Sequence, residues 1–154
     1  MTPLPERSLR TIFWTVIGLF VLVSGLVAPA GPPRQILDAW LEEDFTLVTS
    51  LYLVEELAHA LAYPRITKRL RLDEAELEAL LAALLSRAHV VAGQLHLRGV
   101  TRDPKDDAVV TCAVEGEAGY IVSGDQDLLT LAEYQGVQIV TPREFVEMLG
   151  PRAT

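Results

Sequence analysis

The sequence predicts an α/β fold built on a mainly parallel sheet. Strand-like and helix-like segments alternate along the 154 residues, the pattern of α/β architectures. The apolar run near the start is continuous, as expected of a strand covered on both faces. Helix start signals recur between strand candidates: Ser50, then Asp73 with Glu76, then Thr141-Pro142 with Glu144. In such sheets ligands gather beyond the carboxyl ends of the strands.

The first element is the ambiguous one. Residues 11–33 carry no charge, and residues 12–27 are almost wholly apolar. Arg7 and Arg10 precede the run, and Ala28-Pro29-Ala30 follows it. A basic flank, an apolar stretch and a small-x-small ending describe a secretory signal peptide. The run is also nearly long enough to span a bilayer. The competing reading is a central strand using part of the run, with β-branched Thr15, Val16, Ile17, Val21 and Val23. Gly18, Gly25 and Pro29 would break the rest. The strand reading is preferred, because the next element would otherwise lack its first strand. The expectation is a cytoplasmic chain, with a membrane anchor or signal peptide within residues 11–30 as the alternative.

The following elements read in order. Gly31-Pro32-Pro33 is a turn, and Ile36, Leu37, Trp40 and Leu41 form a helical stripe. Thr46-Leu47-Val48 is a strand candidate. Ser50 caps a helix with Leu53, Val54, Leu57 and Leu61 on its apolar face. Pro64 interrupts it, and a basic segment follows with Arg65, Lys68, Arg69 and Arg71. Asp73 and Glu76 form a capping box for a helix through Leu77, Leu80, Leu81, Leu84 and Leu85. Val90-Val91 reads as strand and residues 96–104 as loop. Residues 106–117 read as a helix burying Ala108, Cys112 and Ala113. Tyr120-Ile121-Val122 is a strand, and Ser123-Gly124-Asp125 turns into another helix. Gln138-Ile139-Val140 is the last strand, and the closing helix ends near Gly150. The expected division is an N-terminal extension (1–10), one domain (11–150) and a tail (151–154).

Composition narrows the function. The net charge is −8, so long-range electrostatics repel nucleic acid. Nucleic-acid contact then needs a local basic patch or bridging metal ions, and a basic protein partner is an equally cheap use of the charge. The single cysteine, Cys112, excludes an internal disulfide and a Cys-x-x-Cys metal site. It reads as a small core residue. His59, His89 and His96 lack ligand spacing and read as surface or structural residues.

Acidic side chains converge on one edge in this topology. Glu55 and Glu56 lie about a turn into the helix after the second strand. Asp103, Asp106 and Asp107 occupy a loop-to-helix junction, and Asp125 and Asp127 follow the Tyr120-Ile121-Val122 strand. Clustered carboxylates repel one another and call for a cation. Oxygen-only ligands suit Mg²⁺ or Mn²⁺. Taken singly, each aspartate is also explained as a helix cap or dipole partner, Glu55 and Glu56 as a solvated face, and the Arg65–Arg71 stretch as a solvated helix edge.

Five blocks recur in one order: Leu22-Val23-Ser24-Gly25 with Gly31-Pro32-Pro33-Arg34 running into Leu37-Asp38-Ala39-Trp40, then Glu55-Glu56-Leu57 before Tyr63-Pro64-Arg65-Ile66. Asp103-Pro104-Lys105-Asp106-Asp107, Ser123-Gly124-Asp125-Gln126-Asp127 and Thr141-Pro142-Arg143-Glu144-Phe145 follow. In these blocks the chain resembles the PIN-domain proteins known as toxin components of toxin–antitoxin systems. The resemblance implies a three-layer α/β/α, PIN-like fold and a Mg²⁺- or Mn²⁺-dependent ribonuclease. By that resemblance Glu56, Asp106 and Asp125 hold the metal. Asp127 joins them as a catalytic carboxylate, and Ser123 is accessory. Arg65, Lys68 and Arg69 are the candidate RNA contacts. An antitoxin protein and a second copy of the chain are the implied partners. One departure matters: the family's first strand ends in Asp-Thr-Asn, where this chain reads Gly18-Leu19-Phe20. Gly18 supplies no ligand, so metal binding and activity are expected to be weakened or lost. An inactive module kept for protein binding is the alternative.

Overall fold

The structure is a computed structural model that describes residues 14–70 and 72–151. The proposed 1–10 extension, Arg7, Arg10 and Arg71 lie outside the described residues, as do residues 152–154 of the tail. Strand β1 (Trp14–Ile17) leads into α1 (Leu19–Val27) and α2 (Pro32–Leu41). Then come β2 (Thr46–Thr49), α3 (Leu51–Leu61), α4 (Pro64–Leu70), α5 (Glu74–Arg87) and β3 (His89–Val90). Helix α6 (Pro104–Glu115) precedes β4 (Tyr120–Val122) and α7 (Gln126–Leu131). The chain closes with β5 (Glu133–Tyr134), β6 (Val137–Val140) and α8 (Pro142–Leu149).

The six strands form one sheet in the order β3-β2-β1-β4-β6-β5. All pairings are parallel except β5 with β6. Strand β1 therefore stands in the middle, between β2 and β4. Ile17 pairs with Val122 in register, so the residues that follow those two strands emerge side by side.

The two-residue period of each strand divides the core between two faces. Ile17, Leu47, Val122 and Val140 join one cluster with Trp40, Leu57, Leu61 and Phe145. Their neighbours Val16, Val48, Ile121 and Ile139 join the other, with Val110, Cys112, Ala113 and Leu128. Helices thus cover the sheet on both sides, which makes the continuous apolar runs intelligible. Phe145 is fully buried and meets Phe45 edge-on, ring centroids 5.2 Å apart, a preferred aromatic geometry. On the opposite face, burial pushes the Cys112 thiol up to about 12. That is the behaviour of the small core residue the sequence predicts.

One sequence expectation needs correction. Val21 and Val23 belong to α1, not to a strand. The strand takes only the first part of the apolar run, and the remainder is a helix pressed between its neighbours. Helix α1 packs on α2 and α3, burying Val21 and Gly25 and half-burying most of the rest, while Phe20 stays exposed. Gly25 breaks nothing, because it lies inside α1. A Cβ there would come within 2.7 Å of the Pro33 carbonyl oxygen, so glycine permits the close α1–α2 approach. Among the described residues no helix is long and apolar enough to cross a membrane.

Other boundaries shift slightly. Helix α6 starts at Pro104, two residues before the predicted start, because Asp103 serves as its N-cap and accepts from Lys105 N at 2.9 Å. Ala108 is only half-buried, whereas Asp107 is buried. The capping boxes at Asp73–Glu76 and Thr141–Glu144 are both formed. The basic segment after Pro64 is helix α4.

Candidate metal centre

The site is assembled where strands give way to helices. After β4, Ser123 N–H donates to the Val140 carbonyl at 3.0 Å, continuing the sheet by one residue. The Ser123 hydroxyl oxygen then accepts from Asp125 N at 3.0 Å. Asp125 in turn caps α7, accepting from the N–H groups of Asp127 (2.9 Å) and Leu128 (3.2 Å). A cap of this kind contributes about 1 kcal/mol to a helix, and it leaves the second carboxylate oxygen of Asp125 facing outward for other work.

Asp106 reaches the same place from the first turn of α6. Its register on that helix is fixed by Asp107 next to it. The buried Asp107 carboxylate accepts from Gly99 N (3.0 Å), Thr101 N (2.7 Å) and the Thr101 hydroxyl (2.9 Å). It therefore ties the loop before α6 to the helix and has no oxygen to spare. The neighbouring aspartates thus divide the labour, Asp107 holding the backbone and Asp106 facing the site.

Asp106, Asp125 and Asp127 each present an oxygen within 4.8 Å of the others. Burial first, then the charge of Asp125, pushes the Asp106 carboxyl up to about 6, with Asp103 and Asp127 adding to it. A group held against ionisation by like charges is where a cation gains most. The donor set is oxygen only, which fits a hard divalent ion such as Mg²⁺ or Mn²⁺.

The cluster opens into a cleft of about 590 Å³ lined on its polar side by Glu56, Asp103, Lys105, Asp106, Ser123 and Asp125. An apolar gap beside α1 and α2 holds only about 10 Å³, too little for a ligand. Glu56 shares the cleft with the aspartates but stands outside the three-carboxylate cluster. It pairs instead with Lys105, Nζ to Oε2 3.5 Å. Asp127 is paired as well, with Arg102 at 2.6 Å. These two cations escaped the sequence reading. Arg102-x-x-Lys105, straddling the N-terminus of an acidic helix, was the available signal. Arg65, Lys68 and Arg69 are exposed on α4 and do not line the cleft.

Gly18 also lines this cleft. Its N–H donates to the Val122 carbonyl at 2.8 Å, and its φ of −64° is ordinary for any residue. A Cβ at Gly18 would lie 3.1 Å from that carbonyl oxygen and 3.7 Å from Ser123 Oγ. Gly18 therefore occupies a site position without contributing a side chain to it.

Comparison with known families agrees with this geometry. The PIN-domain family model matches residues 15–127, from β1 to the end of the aspartate cluster. The chain belongs to the PIN-domain family. The PIN fold accounts for the central parallel sheet, the helices on both faces and the acidic edge. PIN domains are usually metal-dependent nucleases and generally use Mg²⁺ or Mn²⁺. This PIN domain is also 30% identical over 150 residues to an uncharacterized protein of Methanocaldococcus jannaschii, covering 92% of this chain and 95% of the relative.

Proposed function

We propose that this PIN domain holds Mg²⁺ or Mn²⁺ through Asp106, Asp125 and Asp127, and is a ribonuclease whose rate is greatly reduced by the missing carboxylate at Gly18. The observation that carries the reading is the three-aspartate cluster beside a bare Gly18. When bound, the ion would activate water and neutralise charge on a phosphodiester. The chain's own residues do the positioning. Ser123 orients the Asp125 backbone, Asp107 fixes the helix that carries Asp106, and Lys105 supplies a cation to the cleft. Glu56 is the fourth acid of the reading, released for the site if Lys105 turns to a phosphate. Arg65, Lys68 and Arg69 would serve RNA only beyond the cleft. A cytoplasmic setting is part of the proposal; loss of residues 1–30 would remove the central strand β1.

A second reading is an inactive PIN module that acts by binding protein, such as an antitoxin or another copy of itself. The ion pairs Arg102–Asp127 and Lys105–Glu56 favour it, because they place the chain's own cations on two of the acids. Cleavage of single-stranded RNA in Mn²⁺ tests the choice, using the natural chain, a Gly18→Asp, Phe20→Asn double variant, and Asp106→Asn. The first reading expects slow cleavage by the natural chain, faster cleavage by the double variant and none by Asp106→Asn. Absence of cleavage in both the natural chain and the double variant would leave the binding module standing.

A further inference from the structure

The cleft has a second wall that metal binding does not use. Besides the acids it is lined by Ile17, Leu19, Phe20, Val21, Tyr52 and Leu53. Two aromatic side chains on this wall face solvent: Phe20 is 81% exposed and Tyr52 is 44% exposed. Phe20 is the second residue of α1 and Tyr52 the second residue of α3. Their strands, β1 and β2, are adjacent and parallel, so both residues stand at the same sheet edge. Phe20 does nothing for the core, and leaving a phenyl ring in water gains the fold nothing.

We propose that Phe20 and Tyr52 form a stacking shelf for a nucleobase of single-stranded nucleic acid, placed beside the carboxylate cluster. This deepens the nuclease reading and rests on it. A nucleotide carries one flat apolar group and one anion; the cleft offers two exposed aromatic rings for the first, and for the second a carboxylate cluster that accepts a phosphate through a bound cation, with Lys105 beside it on Glu56. With a net charge of −8, phosphate attraction across the whole molecule cannot supply affinity, so the base must contribute much of it. Stacking on aromatic rings tolerates any base and is a main source of affinity for single strands. It also gives Phe20 a role that the Asn of the resemblance could not fill.

The test uses the full chain in Mn²⁺ and a short single-stranded oligonucleotide containing 2-aminopurine, whose fluorescence falls on stacking. The natural chain should quench it. Phe20→Ala and Tyr52→Ala should each weaken binding roughly tenfold, and Phe20→Trp should restore it while Phe20→Leu should not. Phe20 is largely exposed, so Phe20→Ala should leave folding unaffected, Tyr52→Phe serves as the control for the half-covered Tyr52, and calorimetric Mn²⁺ affinity should stay unchanged. Read by competition with the probe, an oligonucleotide abasic at the probe position should bind the natural chain as weakly as the Phe20→Ala chain binds the intact one. Equal binding of intact and abasic strands, or full binding by Phe20→Leu, would overturn the shelf and leave the wall to a protein partner. Ring-dependent quenching without measurable Mn²⁺ binding would keep the shelf and sink the metal reading instead.

Discussion

The junctions after β1 and β4 are neighbours in one sheet, related by parallel pairing, yet chemically opposite. After β4, Asp125 caps the next helix, its own N–H held by Ser123 Oγ, and keeps one carboxylate oxygen for a cation. After β1, Gly18 makes no side-chain cap, and the following turn presents Leu19 and Phe20. The backbone forms both junctions equally well, because β1 is held by β2 and β4 on either side. A central strand thus keeps its place whether or not its last residue contributes chemistry. The fold and the site are specified separately, and the site can lose a member without the fold failing.

The largest effect should come from breaking the β4 side. Asp125→Ala removes a ligand of the cluster and the cap of α7. It should reduce Mn²⁺ affinity by at least tenfold and destabilise the protein by about 1 kcal/mol, read by calorimetry and denaturant melts. Restoring the β1 side should act in the other direction. Gly18→Asp should raise Mn²⁺ affinity about tenfold while lowering thermal stability in chelator, because the new charge joins Asp106 and Asp125 without a counter-ion.

The next prediction concerns pH. The Asp106 carboxyl is raised from 3.8 to about 6 in the folded chain. Metal-free stability from this group is therefore full below the unfolded value and is lost as pH rises through about 6. Asp106→Asn should melt higher than the natural chain at pH 7 in chelator, with the gap closing near pH 4. Mn²⁺ affinity should rise across the same window, because binding must displace that proton. The smallest effect belongs to Arg102→Ala. It frees Asp127 from an exposed ion pair, so stability should be nearly unchanged, and Mn²⁺ affinity should rise only a few-fold.

Much of this contrast was legible in the sequence. Capping boxes, the Ser123-Gly124-Asp125 turn and the alternation of elements are local signals that a sequence carries, although the Asp103 cap of α6 shows only in the fold. The acids were found as a group because topology sends strand ends to one edge. What escaped depends on tertiary context. Helix α1 is apolar on every face, including the exposed Phe20, so no helical period shows. The antiparallel β5 is a two-residue strand whose turn relies on Gly136 at φ +86° and on Glu133, which accepts Gly136 N–H at 2.8 Å. Too short to carry a pattern, it forms only because β6 offers an edge. The split between Asp106 and Asp107 was also invisible, since adjacent aspartates look alike until the Gly99–Thr101 loop folds over one of them.

Calorimetric titration with Mn²⁺ at pH 7 tests the central claim most directly, comparing the natural chain with Asp106→Asn and Gly18→Asp. The expected order of affinity is Gly18→Asp, then the natural chain, then no measurable binding by Asp106→Asn. Equal affinities for all three, or no binding by the natural chain and Gly18→Asp alike, would contradict a metal centre at the aspartate cluster.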